Sequence, residues 1–98
     1  MYVDFSKRQR RYLSVKLKNG ARIDVEEPTM QILESLQKVE ETGSLKDLNR
    51  MVCTIINRNK QKKKFSKEEI VNMLTAEDMH YLIQCYADFA VGIRQDPN

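Results

Sequence analysis

The apolar positions of the chain change period once. From Tyr12 to Glu26 they alternate: Leu13, Val15 and Leu17 fall on one side, Ser14 and Lys16 on the other, and Ile23 and Val25 resume the pattern after Asn19-Gly20. Period two marks a half-buried strand, and Asn-Gly between two such runs marks a hairpin turn. A two-residue loop at Asn19-Gly20 would set Leu17 opposite Arg22 and Val15 opposite Asp24. A three-residue loop, Lys18-Asn19-Gly20, sets Leu17 opposite Ala21, Val15 opposite Ile23 and Leu13 opposite Val25, leaving one face wholly apolar. A slip of one residue sends every side chain to the other face. The sequence therefore predicts the second register, with a type I turn and Gly20 as a left-handed bulge residue.

Beyond Glu26 the period becomes helical. Pro28 suits the first turn of a helix, with Glu26 and Glu27 near the positive end of its dipole. Met30, Ile32, Leu33, Leu36 and Val39 follow, and Gly43 ends a helix expected over about 28–42. Ser44 caps the next helix, with Asp47 in the capping-box position. Its stripe is Leu45, Leu48, Met51, Val52, Ile55 and Ile56, fading near Asn59. Ser66-Lys67-Glu68-Glu69 is a capping box opening a short helix with Ile70, Val71, Met73 and Leu74. Thr75 and the acids Glu77 and Asp78 start the last helix, which carries Met79, Leu82, Ile83, Tyr86, Phe89, Ala90 and Ile93 and ends near Arg94.

The expected architecture is α+β, mainly α: an N-terminal β-hairpin followed by a bundle of three to four helices. The 98 residues fit one domain, divided as a basic arm (1–11), a hairpin (12–26), a helical bundle (28–94) and a tail (95–98). The front of the arm, Tyr2, Val3 and Phe5, is apolar and expected to dock, with the cluster Lys7, Arg8, Arg10 and Arg11 behind it.

Charge adds a second pattern. Net charge is +3, but residues 1–20, 21–43, 44–65 and 66–98 carry +5, −4, +6 and −4 in turn. Such blocks either neutralise one another within one molecule or pair basic face to acidic face between copies. No apolar run reaches the length that crosses a bilayer, and the basic start lacks the apolar core of a secretory signal. The expected setting is cytoplasmic, with Cys53 and Cys85 as reduced thiols on or beside apolar stripes; spacing alone leaves a disulfide open.

Catalytic material is sparse. His80 is the sole histidine, beside an apolar stripe in the first turn of a helix, and the acids sit at helix starts where capping explains them. There is no P-loop, GxGxxG, GxSxG or HExxH. Neither catalysis nor a cofactor or metal is expected.

Two features point to binding. Arg58 to Lys64 reads RNKQKKK, a solvated connection or a frayed helix end, in which Lys60, Lys62, Lys63 and Lys64 are candidate contacts to protein or to nucleic acid. Nucleic acid is the weaker reading: the acidic blocks repel a polyanion, and no stacking aromatics interleave the lysines. The last two helices are rich in Met73, Met79, Tyr81, Tyr86 and Phe89. Plain core packing explains such residues, but Tyr81 lies off the main stripe. Apolar surface in excess of one small core would be covered by a partner or a second copy.

The order of parts, from the basic start through the KNG turn and the EEPT helix start to FSKEEIVNMLTAEDMHYLIQCYADFAVGI, resembles the small tail assembly chaperones of long-tailed bacteriophages and prophages. The resemblance spans residues about 10–94 and rests on length, order and pattern; Leu74, Asp78, Leu82, Tyr86, Phe89 and Ile93 carry most of it. It implies a homo-oligomeric, non-catalytic protein of the host cytoplasm. It would bind the tape-measure protein, keep it soluble, recruit tail-tube protein and be missing from the mature virion, with a frameshifted longer form made from the same gene. The rival expectations are a small basic nucleic-acid-binding regulator and a minor structural phage protein.

Overall fold

A computed structural model describes the backbone of residues 1–95 and the side chains of residues 1–92. The side chain of the stripe residue Ile93 and the expected tail beyond Gln95 lie outside what is described. The chain forms an antiparallel hairpin of β1 (Tyr12–Lys16) and β2 (Arg22–Glu26), followed by α1 (Met30–Thr42), α2 (Leu45–Asn57), α3 (Lys67–Met73) and α4 (Ala76–Gln95). This is the α+β, mainly α arrangement read from the sequence.

The hairpin takes the register that places apolar against apolar. Leu13 faces Val25 and Val15 faces Ile23. The Leu17 amide donates to the Ala21 carbonyl at 2.8 Å, and the Gly20 amide closes the turn on the Leu17 carbonyl at 2.9 Å. Gly20 has φ +88°, a left-handed conformation that costs a side-chain-bearing residue energy and glycine none. Asn19 Oδ1 accepts from the Ala21 amide at 3.0 Å, so the turn satisfies its own polar groups.

The helices start and stop on caps. Ser66 and Glu69 form the full reciprocal box, at 3.1 and 3.0 Å. Thr75 and Asp78 repeat it with an aspartate: the Asp78 amide donates to Thr75 Oγ1 at 3.1 Å, and the Thr75 amide to Asp78 Oδ2 at 2.8 Å. Ser44 caps α2, and Gly43, at φ +65°, ends α1. At the start of α1 the expectation needs correcting. Thr29, not Pro28, sits at the boundary, its hydroxyl accepting from the Ile32 amide, and the helix begins at Met30. Met30 and Leu45, expected on buried stripes, are 70% and 67% exposed. Each is the first residue of its helix and lies at the end of the stripe, where the packing partner no longer covers it.

One cluster of buried side chains holds the fold. Helix α2 is its centre, packing on α1, α3, α4 and β2, with Leu48, Met51, Val52, Ile55 and Ile56 all buried. Burying an aliphatic side chain contributes about 1.5–3 kcal/mol, so this helix dominates the core. Strand β2 supplies Ile23 and Val25, α1 Ile32, Leu36 and Val39, and α3 only Ile70.

The stretch Arg58 to Lys64 is neither frayed helix nor loose connection. It runs back along the outer edge of β2. The Glu26 amide donates to the Arg58 carbonyl and the Lys60 amide to the Asp24 carbonyl, both at 2.8 Å. Asn59 organises it from within: buried, it donates through Nδ2 to the carbonyls of Ile56 (2.9 Å) and Lys63 (2.8 Å), and its Oδ1 accepts from the Lys63 amide at 2.8 Å.

The arm also departs from expectation. Its apolar front does not dock; Tyr2, Val3 and Phe5 stay in solvent. The arm is held at its root, where the Arg8 guanidinium meets Glu27 Oε1 at 2.7 Å.

Candidate functional site

The Arg58–Lys64 stretch closes the β2 edge, and among the described residues no further strand pairs with β1. Helix α4 passes beside it. Between them lies an open groove of about 330 Å³. Its wall on the hairpin side includes Leu13, Val15 and Leu17, with Ser14, Lys16 and Lys18 as polar lining; its wall on the helical side includes Leu74, Tyr81 and Leu82. Alternation along the hairpin turns the three aliphatic residues to one face; Leu74, from the connection between α3 and α4, and the adjacent α4 residues Tyr81 and Leu82 lie across the groove from them. Cys85 lines it too; it and Cys53 are free, half-buried thiols, and burial pushes the Cys53 thiol up against an opposing pull from Lys67.

The groove is pinned at one end by charge. The Lys18 ammonium at the hairpin turn pairs with the Asp78 carboxylate in the first turn of α4. That contact, reinforced by the Thr75 amide, holds the Asp78 carboxyl down at about 2. Asp78 therefore both caps α4 and ties it to the hairpin. At the other end of the hairpin, the Tyr86 hydroxyl donates to the Glu26 carbonyl at 3.0 Å.

The expected contact residues separate into four groups. Tyr81 is 74% exposed and lines the groove. Met73 and Phe89 are half-buried against the core, Phe89 with its ring 6.1 Å from that of Tyr86. Met79 and Tyr86 are core: Tyr86 is completely buried and Met79 nearly so. Both lie on the main stripe of α4, and α2 and the hairpin end leave them no surface, which corrects their place among the contact candidates. Lys60, Lys62, Lys63 and Lys64 are exposed, but none of them lines the groove. Lys60 sits over the Tyr12 ring, its ammonium 5.3 Å from the centroid. The groove is thus a site that no single stretch of sequence announces; only Tyr81, off its stripe, hinted at it.

Among the described residues, no group of three or more His, Cys, Asp or Glu side chains could hold a metal ion. No described helix is long and apolar enough to cross a membrane. Comparisons with protein-family models, with curated proteins and with solved structures find no match to this chain.

Proposed function

We propose that this chain is a non-catalytic assembly chaperone of the phage-tail type, which covers an apolar helical segment of a tape-measure protein and keeps it soluble. The observation that carries the proposal is the open apolar groove between β1 and α4, with Tyr81 standing exposed on its wall. Such a groove accepts the apolar face of an amphipathic segment, while the strand edge beside it offers main-chain groups to a peptide. Co-expression with a tape-measure protein is the test. Soluble client should rise with the native chain and fall back severalfold with Tyr81→Asp, whose exposed position spares the fold. Client solubility indifferent to the chain would overturn the proposal.

A second reading has one observation in its favour. The fold brings the loop of Lys60 against Tyr12, next to Arg11, so two basic stretches distant in sequence meet at one end of the hairpin. Under that reading the chain binds nucleic acid, and affinity falls steeply with salt. Gel shifts across a salt series, with competitor DNA, separate the two.

A further inference from the structure

Helices α1 and α2 are joined by Gly43 and Ser44 alone and pack against each other. The chain turns back there, which brings the start of α1 beside the end of α2. The Arg58 guanidinium bridges that end, donating through Nη2 to the Glu27 carbonyl at 3.1 Å. Along the helix pair runs an open groove of about 700 Å³, lined by α1 residues from Gln31 to Val39 and by α2 residues from Asp47 onward, with Thr29 and Arg58 at one end. It shares no residue with the groove between β1 and α4.

Helical spacing decides what this groove displays. Gln31, Ser35 and Lys38 recur at i, i+4 and i+7 along one side of α1, and Arg50 and Arg58 stand about two turns apart on the α2 side. Ile32, Val39 and Met51, which close the groove from below, belong to the core, so the rim is polar. The charges do not balance. Three cations, Lys38, Arg50 and Arg58, meet one lining acid, Asp47. Lys38 and Arg50 are exposed, and neither pairs with an acid among the described residues. Arg58 is offset in part by Glu26 Oε2 at 3.6 Å. The Thr54 hydroxyl is committed to the Arg50 carbonyl at 3.0 Å, so the neutral donors along the middle are Gln31 and Ser35.

We propose that this groove binds a linear oligophosphate chain, free or carried by a nucleotide. Lys38 and Arg50 hold one end, Arg58 meets the other, and Gln31 and Ser35 donate to the oxygens between. Arg50 and Arg58 are roughly 12 Å apart along the helix axis. With Arg58 fastened on Glu27, a single phosphate held by Lys38 and Arg50 does not reach it, whereas a chain of phosphates does. Such a chain carries acceptor oxygens at every unit, which the donors of the middle match; a dicarboxylate of equal length has a hydrocarbon middle that leaves them unanswered. Guanidinium groups also pair with phosphate oxygens two at a time. The site goes beyond the chaperone reading and does not depend on it.

Calorimetric titration of the complete chain in metal-free buffer of low ionic strength tests it, with orthophosphate, pyrophosphate, tripolyphosphate and tetrapolyphosphate as probes. Affinity should climb with chain length, by about tenfold or more across the series, and fall with added salt. Arg50→Gln and Lys38→Gln should each weaken tripolyphosphate about tenfold, the loss of one charge-assisted hydrogen bond. Asp47→Asn, which removes the lining acid, should tighten it. Lys38 and Arg50 are exposed, so an unchanged circular dichroism spectrum separates lost binding from lost fold. Replacing Lys62 and Lys63 by Gln, outside the groove, should leave the titration as it was. Adenosine triphosphate against tripolyphosphate separates the two sources: equal or tighter binding assigns the nucleotide, weaker binding the free chain. Tripolyphosphate that does not bind overturns the proposal, as does affinity that ignores chain length. So do binding that survives Lys38→Gln and Arg50→Gln together, binding abolished by the change at Lys62 and Lys63, and citrate held as tightly as tripolyphosphate.

Discussion

The hydroxyl of Tyr86 donates to the main-chain carbonyl of Glu26 at 3.0 Å, fastening the middle of α4 to the last residue of β2. The ring is fully buried, so the hydroxyl meets the polar groups at the hairpin end while the rest of the side chain packs in the core. Tyr86→Phe keeps the packing and leaves the carbonyl without this donor, a change that should cost about 1–2 kcal/mol. Tyr86→Ala should cost about 3–5 kcal/mol because a cavity replaces the ring. Urea midpoints measure both.

The same phenol gives an alkaline signature. Burial, partly offset by Arg58, pushes it up to about 12, from an ordinary 10. The folded state therefore favours the neutral form: the stabilisation is complete below about pH 10 and is lost as pH rises through about 12. Urea midpoints of the native chain should fall across that window more steeply than those of Tyr86→Phe. Parallel curves would contradict this.

Asp78 gives the acid counterpart. The Lys18 contact and the Thr75 amide hold its folded pKa at about 2, below the ordinary 3.8. Its contribution is present above about pH 4 and is lost as pH falls toward 2. Asp78→Asn should flatten the acid limb of the stability curve, and Lys18→Met should flatten it in part. Thermal melts between these pH values decide.

Asn59 should be intolerant of change. Asn59→Leu strips hydrogen-bond partners from the Lys63 amide and the carbonyls of Ile56 and Lys63 within a crowded site, and should cost about 2–3 kcal/mol. Hydrogen exchange offers a finer check: the Glu26 and Lys60 amides, which pair across the loop and β2, should lose protection before the core of α2 does.

Position 81 separates binding from folding. Tyr81→Ser should change stability by less than about 0.5 kcal/mol, whereas Met79→Ala, two residues earlier and buried, should cost about 2–4 kcal/mol. Equal losses at both would mean that Tyr81 is packed.

The features legible in the sequence are those settled by neighbouring residues. The hairpin register follows from Leu13, Val15 and Leu17 needing apolar partners on one face. The caps at Ser44, Ser66 and Thr75 follow from hydroxyls placed three residues before an acid. The faces of α4 were legible as well, since spacing put Met79 and Tyr86 on the stripe and Tyr81 off it. What spacing could not give was the number of elements crowding that stripe, so Met79 and Tyr86 counted as surplus although the hairpin end and α2 enclose them. Asn59 was opaque for a related reason: the strand edge it organises lies far upstream in the chain. The groove between β1 and α4 forms between elements remote in sequence, and no window along the chain contains it.

The central place of α2 governs the order in which this chain can acquire structure. The hairpin and α1 meet their main packing surface only in residues 45–57. A two-stranded ribbon alone is marginal in water. During synthesis the residues that precede Leu45 should therefore remain unstructured until α2 has left the ribosome. Collapse then recruits the earlier and later segments onto one shared axis, so that no half of the molecule can persist without the other.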